Sequence, residues 1–128
     1  MLSSPSARVI TLDAPSATGK DSLINSVLKQ TPSSQLQRVV GTTTRAMRPG
    51  EVKDKDYHYV SNETFERLVK QGDLVEFVKN PANNHYYGTQ KKDIEAPLKQ
   101  GVSLIRHADL DGIYQIKSAL GPKAVNVF

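Results

Sequence analysis

Two arginines stand three residues apart in the run Thr42-Thr43-Thr44-Arg45-Ala46-Met47-Arg48-Pro49-Gly50-Glu51. Asp56-Tyr57 follows, and further on comes Asn84-His85-Tyr86-Tyr87-Gly88-Thr89. These are the parts needed to hold a phosphate. Arginine's planar fork meets two phosphate oxygens at once, and a tyrosine hydroxyl adds a neutral donor. A solvated loop would account for a lone arginine, but not for two forks with Tyr57 and Tyr87 at hand. Glu76 lies inside the apolar run Leu74-Val75-Glu76-Phe77-Val78. A carboxylate there is hard to explain as core, although one solvent-facing Glu on a strand is the plainer alternative.

A second feature lies upstream. Arg8-Val9-Ile10-Thr11-Leu12 reads as a short buried strand, followed by Ala14-Pro15-Ser16-Ala17-Thr18-Gly19-Lys20-Asp21-Ser22. A helical pattern then carries Leu23, Ile24, Val27 and Leu28 on one face. Strand, glycine-lysine loop and helix in that order are the setting of a phosphate-binding P-loop, where backbone N–H groups point at the phosphates and a lysine neutralises them. The strict pattern is G-x-x-x-x-G-K-[ST]. Here Ala14 replaces the first glycine and Asp21 the hydroxyl residue, so taken alone the loop reads equally as a plain strand-helix corner.

These residues need elements to position them. The stretch 36–44 is expected to be extended, and 45–56 to be an exposed loop carrying function. Residues 57–60 return as a strand. Ser61 caps a helix with Phe65, Leu68 and Val69 inward, ended by Gly72. A strand over 74–78, a turn over 80–84 and a helix from about Thr89 to Gln100 follow, the last with Pro97 disturbing its final turn. Residues 102–105 read as a buried strand, 110–120 as an amphipathic helix closed by Gly121-Pro122, and 124–128 as another strand. Strand-helix alternation at both ends implies an α/β fold with a parallel sheet, and the shorter strands between suit a small mixed insertion. The expected layout is one domain, with a core of 7–35 and 98–128 and an insertion of 36–97.

Composition narrows the classes. The chain has 128 residues, a formal charge of +4 and no cysteine. That excludes a disulfide scaffold, cysteine nucleophiles and thiolate metal sites. Basic residues concentrate only near Arg45 and Arg48, which speaks against a nucleic-acid partner. No apolar run approaches a membrane span, and Met1-Leu2-Ser3-Ser4-Pro5-Ser6 lacks the blocks of a signal peptide, so a reducing cytoplasm is the default. His58, His85 and His107 share no ligand constellation, and no zinc site is read from them.

The pattern TTR..R.GE....DY...V, then YYGT, resembles the nucleotide-monophosphate site of guanylate kinases, which are P-loop nucleoside monophosphate kinases. Residues 8–128 can be laid along the first two-thirds of such an enzyme. The resemblance implies a P-loop kinase-type core with a monophosphate-binding insertion. It implies that residues 14–22 hold the ATP phosphates, with Lys20, Arg45 and Arg48 in catalytic roles. It further implies GMP binding by Arg45, Arg48, Glu51, Tyr57, Glu76, Tyr87, Thr89 and Asp109, with Glu76 and Asp109 reading the guanine edge. The implied reaction is transfer of the ATP γ-phosphoryl group to GMP, giving GDP and ADP, with Mg²⁺ accompanying ATP.

Four departures stand out. Gly41 sits where the family usually has a serine touching guanine. Asp21 sits where a Mg²⁺-binding hydroxyl is expected, and His107 where an aspartate ends the strand. Asp21 either takes over as a Mg²⁺ ligand or marks a decayed donor site. The family's lid and closing helices would follow Phe128, so a fragment of a longer kinase is expected. Two further functions stay open: a non-catalytic guanylate-kinase-like module binding protein partners, and a related kinase with another phosphorylated acceptor.

Overall fold

The computed structural model describes residues 7–12, 20–107 and 110–127, without the side chains of 20–22, 107, 110–112, 126 and 127. It is an α/β protein that divides into two compact units, one of residues up to 39 and from 94 onward, the other of 40–93.

The first unit is built on a four-stranded parallel sheet. Its strands are β1 (Val9–Leu12), β2 (Leu36–Arg38), β7 (Ser103–His107) and β8 (Ala124–Val127), in the order β2-β7-β1-β8. Helix α1 (Lys20–Gln30) joins β1 to β2, and α4 (Leu110–Leu120) with a 3-10 turn (Gly121–Lys123) joins β7 to β8. Parallel neighbours require such crossovers. Leu12, Ile24, Leu36 and Ile105 are buried together, with Ile10, Val27 and Leu28 packed on them. Three of the four residues read on the inner face of α1 are therefore there, but Leu23 is not: it is 53% exposed.

The extended stretch expected over 36–44 is two strands in two sheets. Leu36 pairs with Ser103 in the parallel sheet and is buried in its core, so β2 groups with the first unit, not with an insertion starting at 36. At the other end the 40–93 unit closes before Ile94, which is buried, as is Leu98.

The second unit is a mixed sheet of β3 (Gly41–Thr43), β4 (Tyr57–Tyr59), β5 (Leu74–Lys79) and β6 (Tyr86–Gln90), in the order β4-β3-β6-β5. β3 runs parallel to β4 and antiparallel to β6, and β5 is antiparallel to β6. Helix α2 (Asn62–Lys70) is capped by the Ser61 side chain, which accepts from the Thr64 N–H, and Gly72 follows it at φ +71. Its Phe65 is fully buried, stacked on Tyr86 at 5.1 Å and edge-on to Phe77 at 6.4 Å.

The helix expected from Thr89 begins two residues later, as α3 (Lys91–Lys99). Thr89 and Gln90 stay in β6 because β5 pairs with them, and the Gln90 side chain donates to buried Thr42 at 2.9 Å. Pro97 does not remove the last turn: the helix runs to Lys99, and Gly101 at φ +80 ends it. Among the described residues no helix is long and apolar enough to cross a membrane.

Candidate monophosphate site

Every residue of the arginine-tyrosine pattern falls in the 40–93 unit. Strand period sorts them. On β6, Tyr86 and Gly88 face Phe65, while Tyr87 and Thr89 face the other side. On β5 a register shift between Leu74 and Glu76 turns the Glu76 carboxylate inward, opposite Thr89. The Thr89 hydroxyl donates to Glu76 Oε1 at 2.8 Å, and both residues are buried. Glu76 is therefore not a solvent-facing strand carboxylate.

Arg45 follows β3 and is only 7% exposed. Its Nη1 and Nη2 donate to the two oxygens of Glu51 at 2.8 and 2.7 Å, and Nη1 also donates to the Ala46 carbonyl at 3.0 Å. Glu51 accepts in addition from the Arg48 backbone N–H at 2.8 Å and the Tyr59 hydroxyl at 2.9 Å. The carboxylate is thus occupied by its own chain and acts by orienting Arg45. Hydrogen bonding from Arg45, then from the Arg48 N–H, lowers the Glu51 pKa to about 2, against opposition from burial. The bond to Glu51 raises the Arg45 pKa above its usual value; burial opposes it, while the Glu51 charge and the Tyr87 hydroxyl add to it. Burial, then Glu51, raises the Tyr59 pKa, which keeps that hydroxyl a donor.

Three of the five guanidinium N–H groups are consumed in this way. Nε is buried, and among the described residues it has no partner. A buried donor left unpaired is costly, and native structures rarely keep one without a reason. Nε–H and the second Nη2–H lie side by side on one edge of the guanidinium, a fork that matches two phosphate oxygens. The rings of Tyr57 and Tyr87 stand edge-on at 6.2 Å, and the Arg45 guanidinium lies 5.0 Å over Tyr57. Arg48 is exposed. Gly41 has Tyr57 against it: a Cβ there would stand 3.0 Å from the ring.

The structure thus brings Arg45, Glu51, Tyr57 and Tyr87 together, and separately Glu76 and Thr89. Residues 14–19 and Asp109 lie outside the described residues, as do the side chains of Lys20, Asp21, Ser22 and His107. Among the described residues no group of three or more His, Asp or Glu side chains could hold a metal ion. Sequence reasoning missed Tyr59, whose role depends on the 51–57 loop folding back, and Asn83, which donates to the Tyr87 hydroxyl at 3.0 Å.

A family model described as guanylate kinase matches residues 6–128. The guanylate kinase of Blochmanniella floridana is 40% identical over 107 residues, 84% of this chain and 50% of that protein. That of Vibrio parahaemolyticus is 39% identical over 117 residues, 91% of this chain and 55% of that one. The crystal structure of guanylate kinase from Anaplasma phagocytophilum matches with a TM-score of 0.73 at 27% identity, covering 95% of this chain and 58% of that chain. The chain spans about half the length of the curated relatives it matches.

Proposed function

Because this chain belongs to the guanylate kinase family, we propose that it binds GMP in the 40–93 unit and serves transfer of the ATP γ-phosphoryl group to it, giving GDP and ADP. The observation that carries the reading is the buried Arg45 fork, fixed by Glu51 and left with an unmatched Nε edge beside Tyr87. A phosphate supplies the acceptors that this edge lacks. Tyr57 and Arg48 complete the anion site. Glu76 and Thr89 take the base: guanine presents N1–H and N2–H donors, so a buried carboxylate rewards guanine and leaves adenine unpaired.

Phosphoryl transfer asks the protein mainly to hold two anions in line and neutralise charge. The acceptor phosphate is Arg45's task. Residues 14–22, with Lys20, are the proposed ATP phosphate loop, and Asp109 a second guanine reader, both from the family resemblance. Mg²⁺ bound with ATP would neutralise its phosphates, and Asp21 is the residue proposed to meet it. In this reading the partners are ATP and GMP in the cytoplasm, with no nucleic acid or membrane.

Isothermal titration with GMP, AMP, ATP and a phosphopeptide tests this. Arg45→Ala should weaken GMP by about 1.5–3 kcal/mol, as for a lost charged hydrogen-bond partner. Glu76→Gln should weaken GMP more than AMP; equal losses would make Glu76 structural. Unchanged GMP affinity in Arg45→Ala removes the phosphate assignment. Phosphopeptide binding without GMP binding would favour a protein-binding module.

A further inference from the structure

The β5–β6 connection is a compact turn held by its own side chains. The Asn80 N–H donates to the His85 carbonyl at 2.8 Å, and the Asn84 N–H to the Asn80 carbonyl at 2.8 Å. Asn80 Oδ1 accepts from the Ala82 N–H at 2.8 Å, and Asn84 takes the left-handed conformation at φ +61. Asn83 sits at the centre of this turn. Its Oδ1 accepts from the His85 N–H at 3.0 Å, which fixes the orientation of the amide. The NH₂ end must then face the Tyr87 hydroxyl, 3.0 Å away, and an NH₂ group can only donate.

This settles the polarity of Tyr87. Among the described residues its hydrogen-bonding neighbours are Asn83, from which its oxygen accepts, and Arg45, which carries donors only. Neither can take the phenolic hydrogen, so that hydrogen is left for a third group, which must be an acceptor. We infer that Asn83 is a positioning residue that sets the Tyr87 hydroxyl as a donor toward the anionic oxygen of a bound monophosphate. It touches Tyr87, not the ligand. The inference rests on reading this site as the monophosphate site. The residue comes from a turn, where Asn is common for its tolerance of tight conformations, and turn chemistry alone would not single it out.

The test is a double-mutant cycle on GMP affinity by titration calorimetry, with Arg45→Lys as a reference and thermal unfolding as a fold check. Asn83→Ala should weaken GMP about three- to tenfold, the range of one neutral hydrogen bond. In a Tyr87→Phe background the same change should have almost no effect. Asn83→Asp should weaken GMP more than Asn83→Ala, because a carboxylate would capture the phenolic hydrogen and repel the phosphate. Equal losses with and without the Tyr87 hydroxyl would mean Asn83 only shapes the turn, and the inference falls. Wild-type affinity in Asn83→Asp overturns it too. If Arg45→Lys weakens GMP while Asn83→Ala does not, this inference alone fails. If neither matters, the monophosphate reading fails with it.

Discussion

Replacing Gly88 by alanine is expected to destabilise the 40–93 unit by about 1–2.5 kcal/mol. A Cβ at Gly88 would stand 2.9 Å from the Glu76 backbone oxygen, 3.0 Å from Phe65 Cζ and 3.1 Å from Phe77 Cβ. Overpacking of this kind costs about 1–3 kcal/mol. The upper half of that range applies, since the nearest atom belongs to a paired strand and cannot swing away as a side-chain tip can. Against it, alanine orders at a lower entropic cost than glycine within a strand, worth about 0.5–1 kcal/mol. The clash wins. Urea unfolding should show a lower midpoint at an unchanged slope. Phe65→Leu in the same background should recover only part of the loss, because it removes the ring contact and leaves the backbone one. GMP affinity should fall as well, because pushing β5 from β6 strains the 2.8 Å contact of Thr89 with Glu76. Stability within about 0.5 kcal/mol of wild type, the spread of neutral surface changes, would refute the reasoning.

His58 bonds both ring nitrogens to carboxylates, Nδ1 to Asp54 at 2.8 Å and Nε2 to Asp93 at 3.0 Å, with Lys53 and Lys92 near Asp54. Burial opposes its charge, but the hydrogen bonds to Asp54 and Asp93 outweigh burial and raise its pKa above 6.5. A raised folded value contributes stability that is complete below about pH 6.5 and lost as pH rises through the folded pKa. Melting temperature should therefore fall by a few degrees between pH 6 and pH 9, and much less in His58→Gln; equal pH slopes would show that folding does not raise the His58 pKa. Gly41→Ser, which restores the hydroxyl usual in the family, should push the Tyr57 ring from its place under Arg45 and weaken GMP instead of sharpening base choice. Tighter GMP binding with stronger rejection of AMP, read by titration, would count against this.

The fold was legible wherever hydrophobic period was clean. Ile24, Val27 and Leu28 on α1, and Phe65 on a helix capped by Ser61, sit as their spacing requires, while Leu23, read on the same face as Ile24, is exposed. Boundaries failed where pairing overrode local pattern. Thr89 resembles a helix start, yet it remains in β6 because Glu76 holds its hydroxyl and β5 its backbone. Residues 36–44 have one extended pattern, and nothing local says that Leu36 goes to the parallel sheet and Thr42 to the mixed one. At the site, the residue types were readable, but the division of labour was not. Glu51 was expected as a ligand, and its actual partners, Arg45 six residues before it and Tyr59 eight after it, meet only once the loop has folded.

That division of labour has an electrostatic consequence. Arg45 and Glu51 form a closed pair, so seen from a distance their charges largely cancel. In the proposed function, a monophosphate approaching in solvent would be drawn little by Arg45, whose contribution would begin at contact, where the Nε edge fits two oxygens and the surroundings are dry. Arg48 is different. Its backbone N–H serves Glu51, but its side chain is exposed. Of the two arginines it carries the exposed charge, which acts in solvent out to about a Debye length, far at low salt and less far as salt rises. If the proposed function holds, the motif separates recognition of phosphate shape from attraction of phosphate charge. On the proposed function, the same separation would explain why a glutamate, unwelcome beside an anion, stands in the site: with the Ala46 carbonyl it holds the Arg45 fork in one direction.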